Sequence, residues 1–290
     1  MALLDFGPDD RPVDAVFLHA NGFNALTYRH VLAPLTKRYR ILAFDQRGHG
    51  ATSLETVVEG RRDWLDMRDD LLALLDALNL THVVLSGHSM GATASLLAAA
   101  IAPARCRGLM LFDPVMPPPR PWEMSSVPEI AEAARRRRAI FSSREEALKS
   151  YRGRGAFSTW PEPMLADYVD AGFRDLPDGQ ISLACAPAWE ASSYAAQEHD
   201  SWEALRRSAC PIDILRAETA STFHLGAYPE GLGDHIRTTT VPGTTHFLPM
   251  ERPDLVQVAL ARAIEAHVPR GEEIAARNRP MAESCPGSAL

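Results

Sequence analysis

Val83-Val84-Leu85-Ser86-Gly87-His88-Ser89-Met90-Gly91, followed by Ala92-Thr93-Ala94-Ser95-Leu96-Leu97-Ala98-Ala99-Ala100-Ile101-Ala102, decides how the rest of the chain is read. Val83 to Ser86 is a short apolar, β-branched run bounded by glycine, the pattern of a buried strand. Ala92 to Ala102 is rich in alanine and leucine and free of proline, the pattern of a helix. The five residues between them read Gly-x-Ser-x-Gly. A strand that turns sharply into a helix holds its central residue in a strained conformation, and the glycines let the turn pass close to neighbouring backbone. Ser89 is thereby presented above the sheet, over a helix N-terminus whose amides and dipole favour negative charge. A turn that only packed a helix on a sheet would need no serine at its apex.

Outward from this stretch, strands and helices alternate. Val13 to Ala20 is a strand, followed by the glycine-containing turn His19-Ala20-Asn21-Gly22-Phe23. Leu26 to Arg38 suits a helix that Pro34 would kink or break. Tyr39 to Phe44 is a second strand, ending in Asp45-Gln46-Arg47-Gly48-His49-Gly50. Arg62 to Leu78 is an amphipathic helix. Gly108 to Phe112 is a strand stopped at Asp113-Pro114. Residues 1–12, with Pro8 and Pro12, are expected to form a loop or an irregular edge.

The alternation then fails. Pro114 to Arg120 holds four prolines, and about residues 120–205 carry helical patches but no convincing strand. The helices fall at Val127 to Ile140, Glu145 to Tyr151, Pro163 to Gly172 and within Trp189 to Leu205. Arg135 to Arg138 spread around a helix and are read as a solvated face. Alternation returns with strands at Pro211 to Ala217 and Ile236 to Val241 and a helix at Pro253 to His267. The expected organisation is an α/β core of residues 1–119 and 206–268, a helical cap of residues 120–205 inserted into it, and a mobile tail of residues 269–290. Repeated strand–helix units imply a mostly parallel sheet flanked by helices, with the site at the carboxyl ends of its strands. Trp122, Phe141, Trp160, Phe173 and Trp189 supply aromatic surface for the cap's core or for a pocket.

Composition bounds the function. The chain has 290 residues and a formal net charge of −7, which argues against nucleic acid. No apolar stretch is long enough to span a bilayer, and Met1 to Asp5 turns acidic before a signal-peptide core can form. Cys106, Cys185, Cys210 and Cys285 are scattered, which fits a reducing cytoplasm better than a disulfide framework or a zinc site. No metal-ligand spacing and no dinucleotide-binding glycine pattern occurs, so neither metal nor cofactor is expected.

A serine hydroxyl needs a base. His246 lies after the last strand, in Val241-Pro242-Gly243-Thr244-Thr245-His246, which brings it to the same sheet edge as Ser89. A developing oxyanion needs donors. The Met90 amide follows the nucleophile, and the second donor is assigned to the Asn21 amide in the loop after the first core strand.

Together these segments resemble an α/β-hydrolase of the esterase, lipase and C–C hydrolase type with a helical cap. The resemblance rests on His19 to Phe23, Asp45 to Gly50, Gly87 to Gly91, Pro242 to His246 and Glu251-Arg252-Pro253, in the family's order over about residues 13–267. Ala20 departs from the family's usual glycine. The resemblance implies that Asp45 to Gly50 shapes a turn beside the site. It also implies a triad acid, either shortly after the Ile212 to Ala217 strand, where Glu218 stands, or at the end of the strand after the nucleophile helix, where Asp113 stands. Asp113 is preferred because it ends a buried strand and has the shorter side chain. The expected function is cleavage of carboxylic esters or lactones of a small to medium apolar substrate. C–C hydrolysis of a diketone-like substrate and non-catalytic ligand binding are the alternatives.

Overall fold

The computed structural model describes residues 1–118, 128–224 and 233–266. The expected cap boundary at residue 119, Trp122, His267 and the 269–290 tail lie outside the described residues.

The main sheet is assembled from β1 (Leu3–Phe6), β2 (Ala15–Leu18), β3 (Ile41–Phe44), β4 (Val83–His88), β5 (Cys106–Phe112), β9 (Ile212–Ala217) and β10 (Ile236–Val241). Its order among the described residues is β1-β3-β2-β4-β5-β9-β10. All neighbours pair in parallel except β1, which lies antiparallel on the edge beside β3. Of the expected loop or irregular edge, residues 3–6 are the edge, a short strand. Its four residues alternate between exposed and half-buried, and so brief a run carries little periodic signal.

Side-chain alternation divides the core in two. Val16, Leu18, Leu85, Leu109 and Leu111 point to one face. There they meet α2 (Leu65–Ala77) and α3 (Met90–Ile101) through Met67, Leu71 and Leu96. Ala15, Phe17, Val84, Met110 and Phe112 point to the other. They meet α1 (Arg29–Leu32) and α10 (Pro253–Ala266) through Val31, Val256, Leu260 and Ile264. Covering both faces leaves the loops at the strands' carboxyl ends as the natural place for a site.

The helix expected from Leu26 to Arg38 is broken into a 3₁₀ turn at Ala25–Tyr28, the single turn of α1 and a second 3₁₀ turn at Ala33–Leu35. Pro34 supplies no N–H and cannot sustain an α-helix through its own position.

Between β5 and β9 the described residues hold α4 (Glu129–Arg135), β6 (Ile140–Phe141), α5 (Arg144–Tyr151), α6 (Glu162–Ala171), β7 (Phe173–Asp175), β8 (Ile181–Leu183), α7 (Pro187–Ala195) and α8 (Ser201–Arg207). The expectation of helices without strands is corrected here. β6, β8 and β7 form a separate antiparallel sheet. Strands of two or three residues are too short to show alternation. The turn Leu176-Pro177-Asp178-Gly179-Gln180 between β7 and β8 is nonetheless a recognisable hairpin signal. The Trp189 to Leu205 region likewise divides into α7 and α8, the second capped by Asp200, which accepts the Glu203 amide at 2.7 Å.

This inserted segment is seated on the loops that follow β2 and β3. The Trp189 indole donates to the Arg47 carbonyl at 2.9 Å. Arg174 donates to the carbonyls of Gly50 and Thr52, and Arg29 pairs with Asp167. No helix among the described residues is long and apolar enough to cross a membrane.

Candidate active site

Ser89 sits between β4 and α3 with φ 56° and ψ −121°, a conformation that costs a non-glycine residue energy and persists only where its surroundings impose it. The surroundings are close. A Cβ on Gly91 would lie 2.4 Å from the Leu18 carbonyl oxygen, and one on Gly87 would lie 2.6 Å from the Gly91 backbone. Only glycine permits these approaches, so α3 can begin directly behind the serine.

His246, in the loop after β10, places Nε2 3.0 Å from the Ser89 hydroxyl oxygen. Its Nδ1 lies 2.6 Å from Oδ2 of Asp113. Asp113 follows β5 directly, with φ 43°, and its side chain is wholly buried. Its carboxylate accepts the Ala217 amide at 2.8 Å, the Ser221 hydroxyl at 2.6 Å and the Thr222 amide at 3.0 Å. Burial drives this carboxyl's pKa upward. The hydrogen bond and charge of His246, with the Ser221 and Ala217 donors, outweigh burial and hold it below the usual carboxylate range. Asp113 is therefore an anion against the imidazole, leaving Nδ1 as donor and Nε2 as acceptor toward Ser89. Glu218 stands elsewhere: it accepts the Gly243 amide at 2.9 Å at an exposed turn.

The loop after β2 is held by histidines on its inner side. His19 donates from Nδ1 to the Ala20 carbonyl at 2.7 Å and accepts the Gln46 amide on Nε2 at 2.9 Å. His49 accepts the Gly22 amide on Nε2 at 3.0 Å and donates from Nδ1 to the Arg47 carbonyl. Burial is the main cause that lowers these pKa values, to about 4 for His19 and about 3 for His49. Asp45 accepts the Ala25 and Ala51 amides, joining this loop to the turn after β3. The Ala20, Gly22 and Phe23 amides thus all have acceptors, while no described group accepts from Asn21's. The Ala20 carbonyl, bonded to His19 and to the Phe23 amide, fixes the plane of the peptide to which the Asn21 N–H belongs. Met90 opens α3, where a first-turn amide has no partner inside the helix.

One group at this edge escapes a sequence reading. Arg137, expected on a solvated face, instead pairs with the buried Glu190 at 2.5 Å and donates to the Tyr168 hydroxyl at 2.8 Å. Glu190 packs against Gly22, and its carbonyl accepts the Asn21 side-chain amide at 3.1 Å. Arg135, Arg136 and Arg138 do face solvent, with side chains at least half exposed. Four like residues in a row hide the one that turns inward. Aromatic rings close the neighbourhood: Phe23 lies 5.1 Å from Trp160 and stacks on Phe247 at 6.2 Å. Trp160 Nε1 and Asn21 Oδ1 are buried without a hydrogen-bond partner among the described residues.

This architecture has counterparts. The 2-(acetamidomethylene)succinate hydrolase of Mesorhizobium japonicum is 25% identical over 254 residues, 87% of each chain. The crystal structure of an E-2-(acetamidomethylene)succinate hydrolase superposes with a TM-score of 0.73 at 23% identity, over 91% of this chain and 94% of that one. A thioesterase domain from the curacin biosynthetic pathway gives 0.71 at 18% identity, over 89% and 94%. The two solved structures share the fold. A model of the alpha/beta hydrolase family matches residues 15–257, and with a strand–serine–helix turn inside that span, the chain belongs to the alpha/beta hydrolase family.

Proposed function

We propose that the protein hydrolyses carboxylic esters or lactones of small acyl groups through an acyl-enzyme, with Ser89 as nucleophile, His246 as base and Asp113 as the acid that orients it. The continuous hydrogen-bonded line from Asp113 Oδ2 through the His246 ring to Ser89 Oγ, at 2.6 and 3.0 Å, carries this reading. Ser89 Oγ attacks the carbonyl carbon while its proton passes to His246 Nε2. The oxyanion takes the amides of Asn21 and Met90. Collapse expels the alkoxide, which receives the proton from His246. Water, deprotonated by the same nitrogen, then releases the acid and frees Ser89. Asp113 stays ionised throughout and stabilises the imidazolium.

The segment between β5 and β9 is read as a cap that shapes the acyl pocket. The Phe23–Trp160–Phe247 rings suit an apolar group, and Trp160 Nε1 and Asn21 Oδ1 can meet a polar one. A second reading keeps the attack and changes the leaving group. The 25% identical relative is named for a small acid bearing an acetamido group, an amide rather than an ester. C–C cleavage beside a ketone would draw on the same residues.

A fluorophosphonate probe should label wild-type protein and fail on Ser89→Ala, which should also lose essentially all hydrolysis of p-nitrophenyl acetate with an unchanged circular dichroism spectrum. Hydrolysis by Ser89→Ala near the wild-type rate would remove the assignment. Labelled protein that turns over none of a panel of esters, lactones, N-acetyl enamines and dienol diketones would favour the ligand-binding alternative.

A further inference from the structure

His88, the residue before the nucleophile, is wholly buried, and its two ring nitrogens face different loops. Nε2 is 2.7 Å from the main-chain oxygen of His246, and Nδ1 is 2.7 Å from the Tyr28 hydroxyl. A carbonyl only accepts, so Nε2 carries the ring proton and Nδ1 presents a lone pair. Burial first, and the neighbouring His246 second, oppose a further proton and lower the pKa to about 3. The Tyr28 hydroxyl therefore gives its proton to Nδ1. Its oxygen is left to accept, and the Ala20 amide donates to it at 3.2 Å.

The direction of every bond in this chain is determined. Ala20 N–H donates to Tyr28, Tyr28 O–H to His88 Nδ1, and His88 Nε2–H to the His246 carbonyl. The chain begins one residue before Asn21 and passes through the residue before Ser89. It ends on the backbone of His246. It thus crosses the three separate loops whose relative placement the proposed reaction needs, and it does so through side chains that take no part in proton transfer to or from a substrate. The rings also pack: His88 lies 6.0 Å from Tyr28, 6.1 Å from Phe23 and 5.0 Å from His246.

We propose that Tyr28 and His88 are positioning residues, a bridge of fixed hydrogen-bond direction that sets the Asn21 amide and the His246 ring at their working separation around Ser89. The effect on rate rests on the hydrolytic reading above; the bridge itself does not. A small misplacement of a catalytic group costs rate out of proportion to its cost in stability.

Tyr28→Phe keeps the ring and removes the hydroxyl. His88→Gln keeps a donor toward the His246 carbonyl and takes away the ring nitrogen at the Nδ1 position that faces Tyr28. With p-nitrophenyl acetate, Tyr28→Phe should lower kcat about tenfold, less than the roughly hundredfold or more for loss of a whole oxyanion donor. KM should stay within about twofold, because uniform binding is untouched. The double variant should be no slower than the slower single one, because both cut the same bridge. A packing role alone would lower Tm and leave the kcat of the folded enzyme unchanged. A wild-type kcat in Tyr28→Phe, or losses that multiply in the double variant, would overturn the proposal. Long-range ¹H–¹⁵N spectra of the histidine rings and exchange of the Ala20 amide read the bridge without any substrate. The expected result is a proton on His88 Nε2, an Nδ1 signal that moves in Tyr28→Phe, and faster Ala20 exchange in that variant. A proton on Nδ1, or an unchanged Nδ1 signal and exchange rate, would also overturn it. Failure of wild-type protein to hydrolyse the ester or take the fluorophosphonate label would sink the hydrolytic reading alone, and the spectra and exchange would then decide the bridge.

Discussion

The sheet edge around Ser89 and the segment seated on it are held by different forces. At the edge, His19, His49 and His88 each commit both ring nitrogens to buried partners, and all three are neutral donors and acceptors. The inserted segment adds ion pairs to its packing: Arg137 with Glu190, which is largely buried, and Arg144 with Asp175, Arg138 with Glu146 and Arg152 with Glu162 nearer the surface. Buried neutral hydrogen bonds are little affected by salt and vulnerable to protonation, whereas exposed ion pairs are screened by salt and individually weak. The geometry that the proposed reaction needs is thus kept by bonds that salt affects little.

Acid should break this contrast most strongly. The three histidines have folded pKa values of about 4, 3 and 3, below the ordinary value near 6.5 that they regain on unfolding. Below pH 6.5 the unfolded chain therefore binds more protons than the folded one, and stability falls as pH falls toward 4. At pH 5 the three together should cost about 5–6 kcal/mol relative to pH 7. Asp113 acts with the same sign in a lower window: its depressed pKa stabilises the fold above the unfolded carboxylate value and is lost as pH falls through the folded one. Urea unfolding at pH 7 and pH 5 measures the difference, and equal stability at the two would undo the contrast.

The next largest effect separates the two acids. Asp113→Asn should lower kcat by about 10⁴, because the amide favours the wrong imidazole tautomer, while Glu218→Gln should leave kcat within about twofold, since Glu218 serves a turn. Ester turnover at pH 7.5 checks both, and a reversed order would move the acid to Glu218. Smaller again is Glu190→Gln, which strands the charge of Arg137. Arg137's side chain is 21% exposed, so the cost should be about 2–3 kcal/mol rather than that of a fully buried ion. Adding Arg137→Met should restore part of the loss in urea unfolding. An outright gain from Glu190→Gln alone would show that the pair does not tie the segment down. Smallest of all, Arg138→Ala breaks an exposed pair with Glu146 and should not measurably change the urea midpoint. A clear shift would mean that surface pairs hold the segment after all.

Much of the fold was legible locally. β4, β5 and α3 follow from apolar runs punctuated by glycine and proline, and Gly87 and Gly91 mark where backbones nearly touch. β1 and the β6-β8-β7 sheet were not legible as strands, because runs of two to four residues carry too little periodicity. The Asp178-Gly179 turn was the one available sign of the small sheet. Arg137 was hidden because helical spacing around Arg135 to Arg138 distributes four side chains over all directions. Which of them turns inward depends on Glu190, more than fifty residues further along, as Trp189 and Gln46 do for the loops they close.

The sequence by itself determined the family, the alternation of strands and helices from β2 to β5 and from β9 onward, and the residue types available at the carboxyl edge: a serine on a strained turn, a histidine after the last strand, two carboxylates at strand ends. Those are local properties, set by the length of apolar runs and the steric needs of turns. Tertiary structure decided which carboxylate reaches the histidine. Asp113 and Glu218 follow the neighbouring parallel strands β5 and β9; the buried strand end and the shorter side chain favour Asp113, but only the packed loops show which carboxylate lies beside the imidazole. Asp113 is 133 residues from His246 and 2.6 Å away from it, because a wholly buried carboxylate finds donors from Ala217, Ser221 and Thr222 in the loop beside the imidazole. Glu218, at the surface, accepts the Gly243 amide instead. The energy that separates the two acids lies in desolvation and in hydrogen bonds between distant parts of the chain, which only the packed sheet brings together.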